Sequence, residues 1–291
     1  QLSKKLIYFM MNLMNKKIIS IVISIFIGIS ILIVLNTDVL KKSVNILLKS
    51  QSIMVYKDTK ILTGHGRKLK WSIGIMEGKN LNELINLDIN PIITLNHITD
   101  YHAVHLFDPF YVFDKNVHYL FYEVCGYKKN EEFTYSCDIA YSYNQESIKN
   151  KTSWLYGGSI LDEDFKLSFS NIIKLSGEFY MIPESSQDSN VKLYKASNFP
   201  KQWQYVKTLI KGEAFNDPTP FSYKNKWYMF VSTNGNAKMS LYMSDKLDGD
   251  WIEHPLSPVI LNNPNAARSA GKVIEYHGKL IRFSQNTFPK Y

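Results

Sequence analysis

A chain of 291 residues that is 45% hydrophobic and 14% aromatic has apolar mass for one large domain or two small ones, which excludes a disordered chain. Its net charge of +8 points to a phosphate-binding surface until the charge is located: residues 1–50 hold seven lysines against the single acid Asp38, leaving +2 for residues 51–291. That remainder is too small for the basic face that nucleic acid requires, so no nucleic-acid partner is expected.

The N-terminal lysines flank an uncharged apolar run, Ile18–Leu35, about as long as a bilayer core is thick. The run predicts one retained transmembrane helix over about 18–35, inside an N-terminal segment 1–40. A cleaved signal peptide is the nearest rival, but no small-x-small cleavage site follows the run. Four lysines precede it, whereas three lysines and Asp38 follow it, a bias toward a cytoplasmic N-terminus and a single-pass membrane protein whose globular part is extracytoplasmic. Residues 41–70 read as a polar connector. Its closing TGHGRKLK lacks the spacing of a nucleotide loop and reads as a turn.

From Trp71 the chain becomes a succession of short strands rich in Ile, Val, Tyr, Phe and Trp, with one weak helical stretch, LNELINL, after Asn80. Cys125 and Cys137 bracket GYKKNEEF. If that stretch is a hairpin turn, the two sulfurs could form a disulfide outside the cytoplasm; two free core thiols are the alternative. His97, His102 and His105 show no metal-ligand pattern, and no glycine-rich phosphate loop occurs, so neither metal nor cofactor is expected.

Internal repetition decides the fold class. Trp154, Trp203 and Trp251 are 49 and 48 residues apart, and each follows a similar strand and precedes another. Upstream of each lies a second module, FDPFYVFDKNVHYLFYEV, FSNIIKLSGEFYMIPES or NDPTPFSYKNKWYMFVS, and a fourth copy, RSAGKVIEYHGKLIRFSQ, starts at Arg268. Each module is a strand, a tight polar turn such as Asp114-Lys115-Asn116, and a second aromatic strand. Two modules make four antiparallel strands, the unit of an all-β propeller blade. Residues 71–291 are thereby expected to hold three complete blades and two half blades. Joined, the halves close a four-bladed ring; the favoured reading is a five-bladed propeller that is incomplete at the C-terminus.

The ordered motifs FDPF at 107, FYMIPES at 179, LYKASNFPKQW at 193, FNDPTPF at 215, NKWYMF at 225, DGDWIEHPLSPVI at 248 and ARSAGKV at 267 resemble the N-terminal domain family of glucosamine inositolphosphorylceramide transferase. The resemblance runs from about Trp71 to Tyr291. It implies a five-bladed propeller related in shape to arabinanase- and xylosidase-type glycoside hydrolases, in a glycosyltransferase-associated, carbohydrate-active setting. The segment KLSFSN at 166 departs from the family's His-x-Ser-Tyr-Pro pattern.

Aligning the modules places Asp108, Ser170, Asp217 and Arg268 at the start of successive innermost strands, and Glu123, Glu184, Ser232 and Ser284 at a second equivalent position. Carboxylates accept sugar hydroxyls, and arginine pairs with phosphate or carboxylate. Asp108, Asp217 and Glu184 are the candidate catalytic residues; Arg268, Glu123, Ser170, Arg282 and Gln285 are the candidate substrate-binding residues. Related hydrolases need a base, an acid and an orienting carboxylate, and cleavage needs at least two separated carboxyl groups. Asp108 matches the base, but Ser170 stands where an acid belongs, so the set is incomplete. The structural alternative is that both Asp-Pro pairs simply start strands.

Three functions follow. The first is a membrane-anchored carbohydrate-active domain that binds or helps modify a glycan or glycolipid, with transferase chemistry on a separate domain or chain. The second is a glycoside hydrolase with Asp108 as base, and the third a non-catalytic propeller for protein interaction.

Overall fold

A computed structural model of the chain describes residues 33–36, 52–62, 67–129, 134–233 and 235–286, with side chains from residue 71 onward. Twenty strands are present among these residues. In chain order, β1 (Ile33–Asn36) precedes a long hairpin of β2 (Ser52–Leu62) and β3 (Arg67–Glu77), against which the short β4 (Ile85–Asn86) pairs. The stretch read as a connector therefore carries a strand and the start of a second. LNELINL forms no helix: it is a turn leading into β4. Its apolar residues pair with a strand because, in seven residues, tertiary contact outweighs a weak helical preference.

Three consecutive four-stranded antiparallel sheets follow. The first is β5 (Tyr101–Asp114), β6 (Val117–Lys128), β7 (Tyr135–Asn144) and β8 (Leu155–Leu161). The second is β9 (Ser168–Leu175), β10 (Glu178–Ser185), β11 (Asn190–Asn198) and β12 (Gln202–Lys211). The third is β13 (Asn216–Tyr223), β14 (Lys226–Thr233), β15 (Lys238–Ser244) and β16 (Ile252–Glu253). Each strand pairs with its sequence neighbour, as the repeated modules predict. The chain then forms β17 (Arg268–Ser269), β18 (Ile274–Tyr276), β19 (Lys279–Arg282) and β20 (Ser284–Gln285), with β17 on β20 and β1 on β19.

Most of the expected membrane span, 18–32, lies outside the described residues. Its last three residues, Ile33–Leu35, are strand and not helix, paired with Leu280–Arg282. Among the described residues no helix is long and apolar enough to cross a membrane.

The turns explain the repeat. Lys115 and Asn116, Ser176 and Gly177, Lys224 and Asn225, and His277 and Gly278 all have positive φ. Left-handed backbone at both central residues gives a two-residue hairpin whose twist matches that of its strands. The repeated tryptophans are structural: the Nε1 of Trp154, Trp203 and Trp251 donates to the carbonyl of Ile148, Pro200 and Leu247 at 3.2, 2.8 and 3.0 Å. Each ring thus buries apolar area with its one donor satisfied.

The described residues cluster into two compact units. One comprises Leu48–Met181 and Tyr194–Gln204; the other comprises Ile182–Leu193 and Tyr205–Tyr291, together with β1. The first has apolar cores around Ile73, Tyr122 and Trp154 and around Phe121, Phe169 and Met181. The second packs Tyr228 with Leu241, and Met239 with Ile260 and Ala267.

Candidate functional site

In the second unit, four of the expected site residues meet. Asp217 is fully buried in β13, in a break of the β13–β14 register between Asn216 and Thr219. Its backbone is left-handed, with φ 48°. Proline after it has no N–H to lose, which suits an unpaired bulge, and Asp tolerates this conformation better than most residues. The bulge turns the carboxylate toward β17 and β20. There Arg268 donates from Nε to Oδ2 at 2.5 Å and from a terminal nitrogen to Oδ1 at 3.4 Å. Gln285 Nε2 donates to Oδ2 at 2.9 Å and to the Ser269 carbonyl at 2.7 Å. Glu184, at the end of β10, accepts the Asp217 backbone N–H on Oε2 at 2.9 Å and the Ser186 hydroxyl on Oε1 at 3.1 Å.

The cluster thus sets one carboxylate, Asp217, against the guanidinium, with Glu184 holding the backbone of Asp217 from behind. Arg268 is its outlet: its side chain is 17% exposed, that of Asp217 not at all. A carboxylate engaged by an arginine and an amide is occupied as an acceptor, which suits positioning better than proton delivery. Ser269 was not among the residues singled out from sequence. Its Oγ is buried beside this group without a hydrogen-bond partner.

Arg282 has a different place from the one its charge suggested. It is 3% exposed and donates to the backbone carbonyls of Ala266 and Phe283 at 2.7 and 3.3 Å. Its guanidinium lies 5.7 Å from the Phe230 ring centroid, and burial pushes it down to about 10. It ties the chain before β17 to β19. Ser232 donates to the Ala267 carbonyl and reinforces the same segment.

The remaining candidates lie in the first unit. Asp108 is half-buried with φ 49°, in a register break of β5 between Phe107 and Phe110. It repeats the Asp-Pro bulge of Asp217. Glu123 is 2% exposed and pairs with Lys166 Nζ at 3.0 Å. Ser170 is buried and its Oγ has no hydrogen-bond partner.

The structure shifts the alignment of the repeats. Counted back from the first positive-φ turn residue, the counterparts of Asp108 and Asp217 are Phe169, also left-handed at φ 47°, and Ala270. Ser170 and Arg268 are therefore out of phase with the two aspartates. The same count makes Gln285, not Ser284, the counterpart of Glu123 and Glu184. Phe169 is 1% exposed and meets Phe110 edge-on, with centroids 4.9 Å apart. An apolar ring holds the position between the two aspartates.

Cys125 and Cys137 face each other across β6 and β7 and form a disulfide, so the hairpin reading stands and the free-thiol alternative falls. Among the described residues, the grouping of potential metal ligands is Glu123 with these cysteines. Bonded to each other, they offer no thiolate to an ion. His97 engages Thr94, while His105 stacks on Phe107 at 5.2 Å.

Comparison with known proteins gives three results. A family model described as glucosamine inositolphosphorylceramide transferase 1, N-terminal, matches residues 68–291. Among curated proteins, glucosamine inositolphosphorylceramide transferase 1 of Oryza sativa subsp. japonica is 27% identical over 244 residues, covering 76% of this chain and 32% of its own. The protein of that name from Arabidopsis thaliana is likewise 27% identical over 244 residues, covering 76% and 31%. The chain thus spans about a third of the length of the curated relatives it matches. Among solved structures, a xylan beta-1,4-xylosidase from Bacillus halodurans C-125 superposes with a TM-score of 0.58 at 14% identity, over 82% of this chain and 48% of that one. The RS223 beta-xylosidase superposes at 0.56 and 12% identity, over 80% and 88%. At such identities the likeness is one of fold, a β-propeller-like arrangement of sheets.

Proposed function

The chain belongs to the family of glucosamine inositolphosphorylceramide transferase 1 N-terminal domains, and from that premise we propose that it is a membrane-anchored, carbohydrate-active domain that binds a glycan or glycolipid for a glycosyltransfer system. The observation that carries this reading is the buried cluster of Glu184, Asp217, Arg268 and Gln285. A non-glycine residue held in left-handed backbone costs roughly 1–3 kcal/mol and is concentrated at functional sites. Here the strain aims Asp217 at Arg268, and Arg268 extends to solvent. In this reading Asp217 and Gln285 orient the guanidinium, which donates to sugar hydroxyls or to a headgroup phosphate.

The finer parts of the assignment rest on separate supports. Three four-stranded sheets and the flanking shorter ones favour a five-bladed propeller. The uncharged run Ile18–Leu35 between its lysines favours a single-pass anchor, and the disulfide favours an extracytoplasmic location, since such bonds persist in oxidising compartments. The curated relatives are much longer than the matched part, which favours transferase chemistry on another domain or chain.

The test is binding of the full chain to a panel of glycans and lipid-linked sugars. Arg268→Ala should weaken binding at least about tenfold, and Arg268→Lys should recover only part, because an ammonium lacks the planar fork that fits a carboxylate. Variants that bind as the wild type does, with unchanged melting, would sink the proposal.

A second reading, a glycoside hydrolase with Asp108 as base, is favoured by one observation: Asp108 and Asp217 share the same left-handed bulge before proline. Phe169 at the intervening position weighs against it. Cleavage of aryl glycosides that is abolished by Asp108→Asn would establish it over the first.

A further inference from the structure

The β6–β7 ladder runs without a register shift from His118 opposite Asn144 to Tyr127 opposite Tyr135. In such a pair, opposed side chains share a face and alternate residues return to it. Glu123, Cys125 and Tyr127 on β6 therefore share a face with Cys137 and Tyr135 on β7. That face presents a buried carboxylate, then a disulfide, then two phenol rings in edge contact, with centroids 5.3 Å apart and planes at 75°.

Two features mark this as a surface built to be covered. Tyr127 and Tyr135 are 45% and 49% exposed, although aromatic rings are the side chains that gain most from burial. The disulfide lies two ladder steps away, at the next pair on the same face, and stops the two strands that carry the exposed rings from splaying. Lys166, its side chain half exposed, ion-pairs with Glu123, and both charges act on the Tyr135 phenol, which burial pushes above its usual value.

The chemistry that fits is a sugar ring. Its apolar C–H face stacks on an aromatic ring, and its hydroxyls accept from an ammonium. Lys166 is matched in charge by Glu123, which favours a neutral ring over a phosphate or carboxylate. Resting on the carbohydrate-active reading above, we infer that Tyr127 and Tyr135, with Lys166 held by the buried Glu123, form a stacking subsite for a neutral pyranose, kept in shape by the Cys125–Cys137 disulfide. It shares no residue with the Arg268 cluster, and its residues all belong to the first unit.

The experiment measures binding of the full chain to immobilised xylo-, gluco-, galacto- and manno-oligosaccharides. Tyr127→Ala and Tyr135→Ala should each weaken binding by about tenfold, the scale of one aromatic contact, at wild-type melting temperature. Tyr135→Phe, which keeps the ring, should recover most of that loss. Dithiothreitol should weaken binding to a similar degree, and reoxidation should restore it. If both alanine variants bind as the wild type does while Arg268→Ala does not, the subsite is overturned and the broader function stands. A wild-type chain that binds no oligosaccharide overturns the subsite, while lipid-linked sugar binding decides the broader reading separately. Alanine variants that change only the oligomeric state would make the rings a self-association surface and also overturn the inference.

Discussion

Sixty-eight residues separate Gln285 from Asp217, and 51 separate Arg268 from it, so the hydrogen bonds that define the cluster leave no local spacing to read. What the sequence does show is residue type: two acids, an arginine and an amide in the right modules. Arg282 illustrates the limit, since the same chemistry is consumed by two backbone carbonyls. At this scale the firmest pH prediction concerns Asp138, buried with its carboxylate accepting from Tyr101 and Ser136. Burial pushes its carboxyl above the usual 3.8, outweighing those hydroxyls. The native state then holds the proton more tightly than the unfolded chain does. This contribution to stability is fully present below 3.8 and is lost as pH rises through the raised native value. Asp138→Asn should remove that slope, so that in denaturant titrations the wild type gains on the variant as pH falls from 7 to 4. Parallel pH profiles would contradict the assignment.

At the scale of elements, the strand–turn–strand modules were legible because their signals are local. Alternating aromatic strands bounded by Lys-Asn, Ser-Gly or His-Gly pairs specify hairpins with left-handed central residues. The phase of the innermost strands was not legible. Asp-Pro marks the bulge in β5 and β13, but β9 makes its left-handed turn at Phe169, a residue type that gives no such warning. Gly126 carries an element-scale prediction. A Cβ there would lie 2.4 Å from the His102 carbonyl oxygen and 2.8 Å from Ala103 Cα, both backbone atoms of the paired strand beside its register shift. Neither can swing away as a side chain could. Gly126→Ala should therefore destabilise by about 1–3 kcal/mol, read from the shift of the urea midpoint at unchanged m-value. A shift near zero would mean that β5 and β6 can part locally.

For the whole molecule, charge is the property most easily misread. The total of +8 is concentrated in residues 1–50, so retention on duplex DNA should be weak at physiological salt and should depend on that segment. Replacing Lys16 and Lys17 by alanine should lower the log–log salt slope by up to about two units, at about 0.9 per phosphate contact. The same change at Lys207 and Lys226, which already sit beside Asp250 and Asp245, should leave the slope unaltered. A slope governed by the second pair would restore a nucleic-acid role. The sequence by itself determined the all-β class, the repeating four-stranded unit, the family and the residue types of the candidate site. All of these are written in turns, alternation and ordered motifs within a few dozen residues of one another. Only the tertiary structure decided that Asp217 meets Arg268 and Gln285, that Phe169 interrupts the aspartate series, and that the two cysteines are joined. Each of these depends on strand register or on contacts between distant segments, and a one-residue bulge is enough to change which side chain faces which.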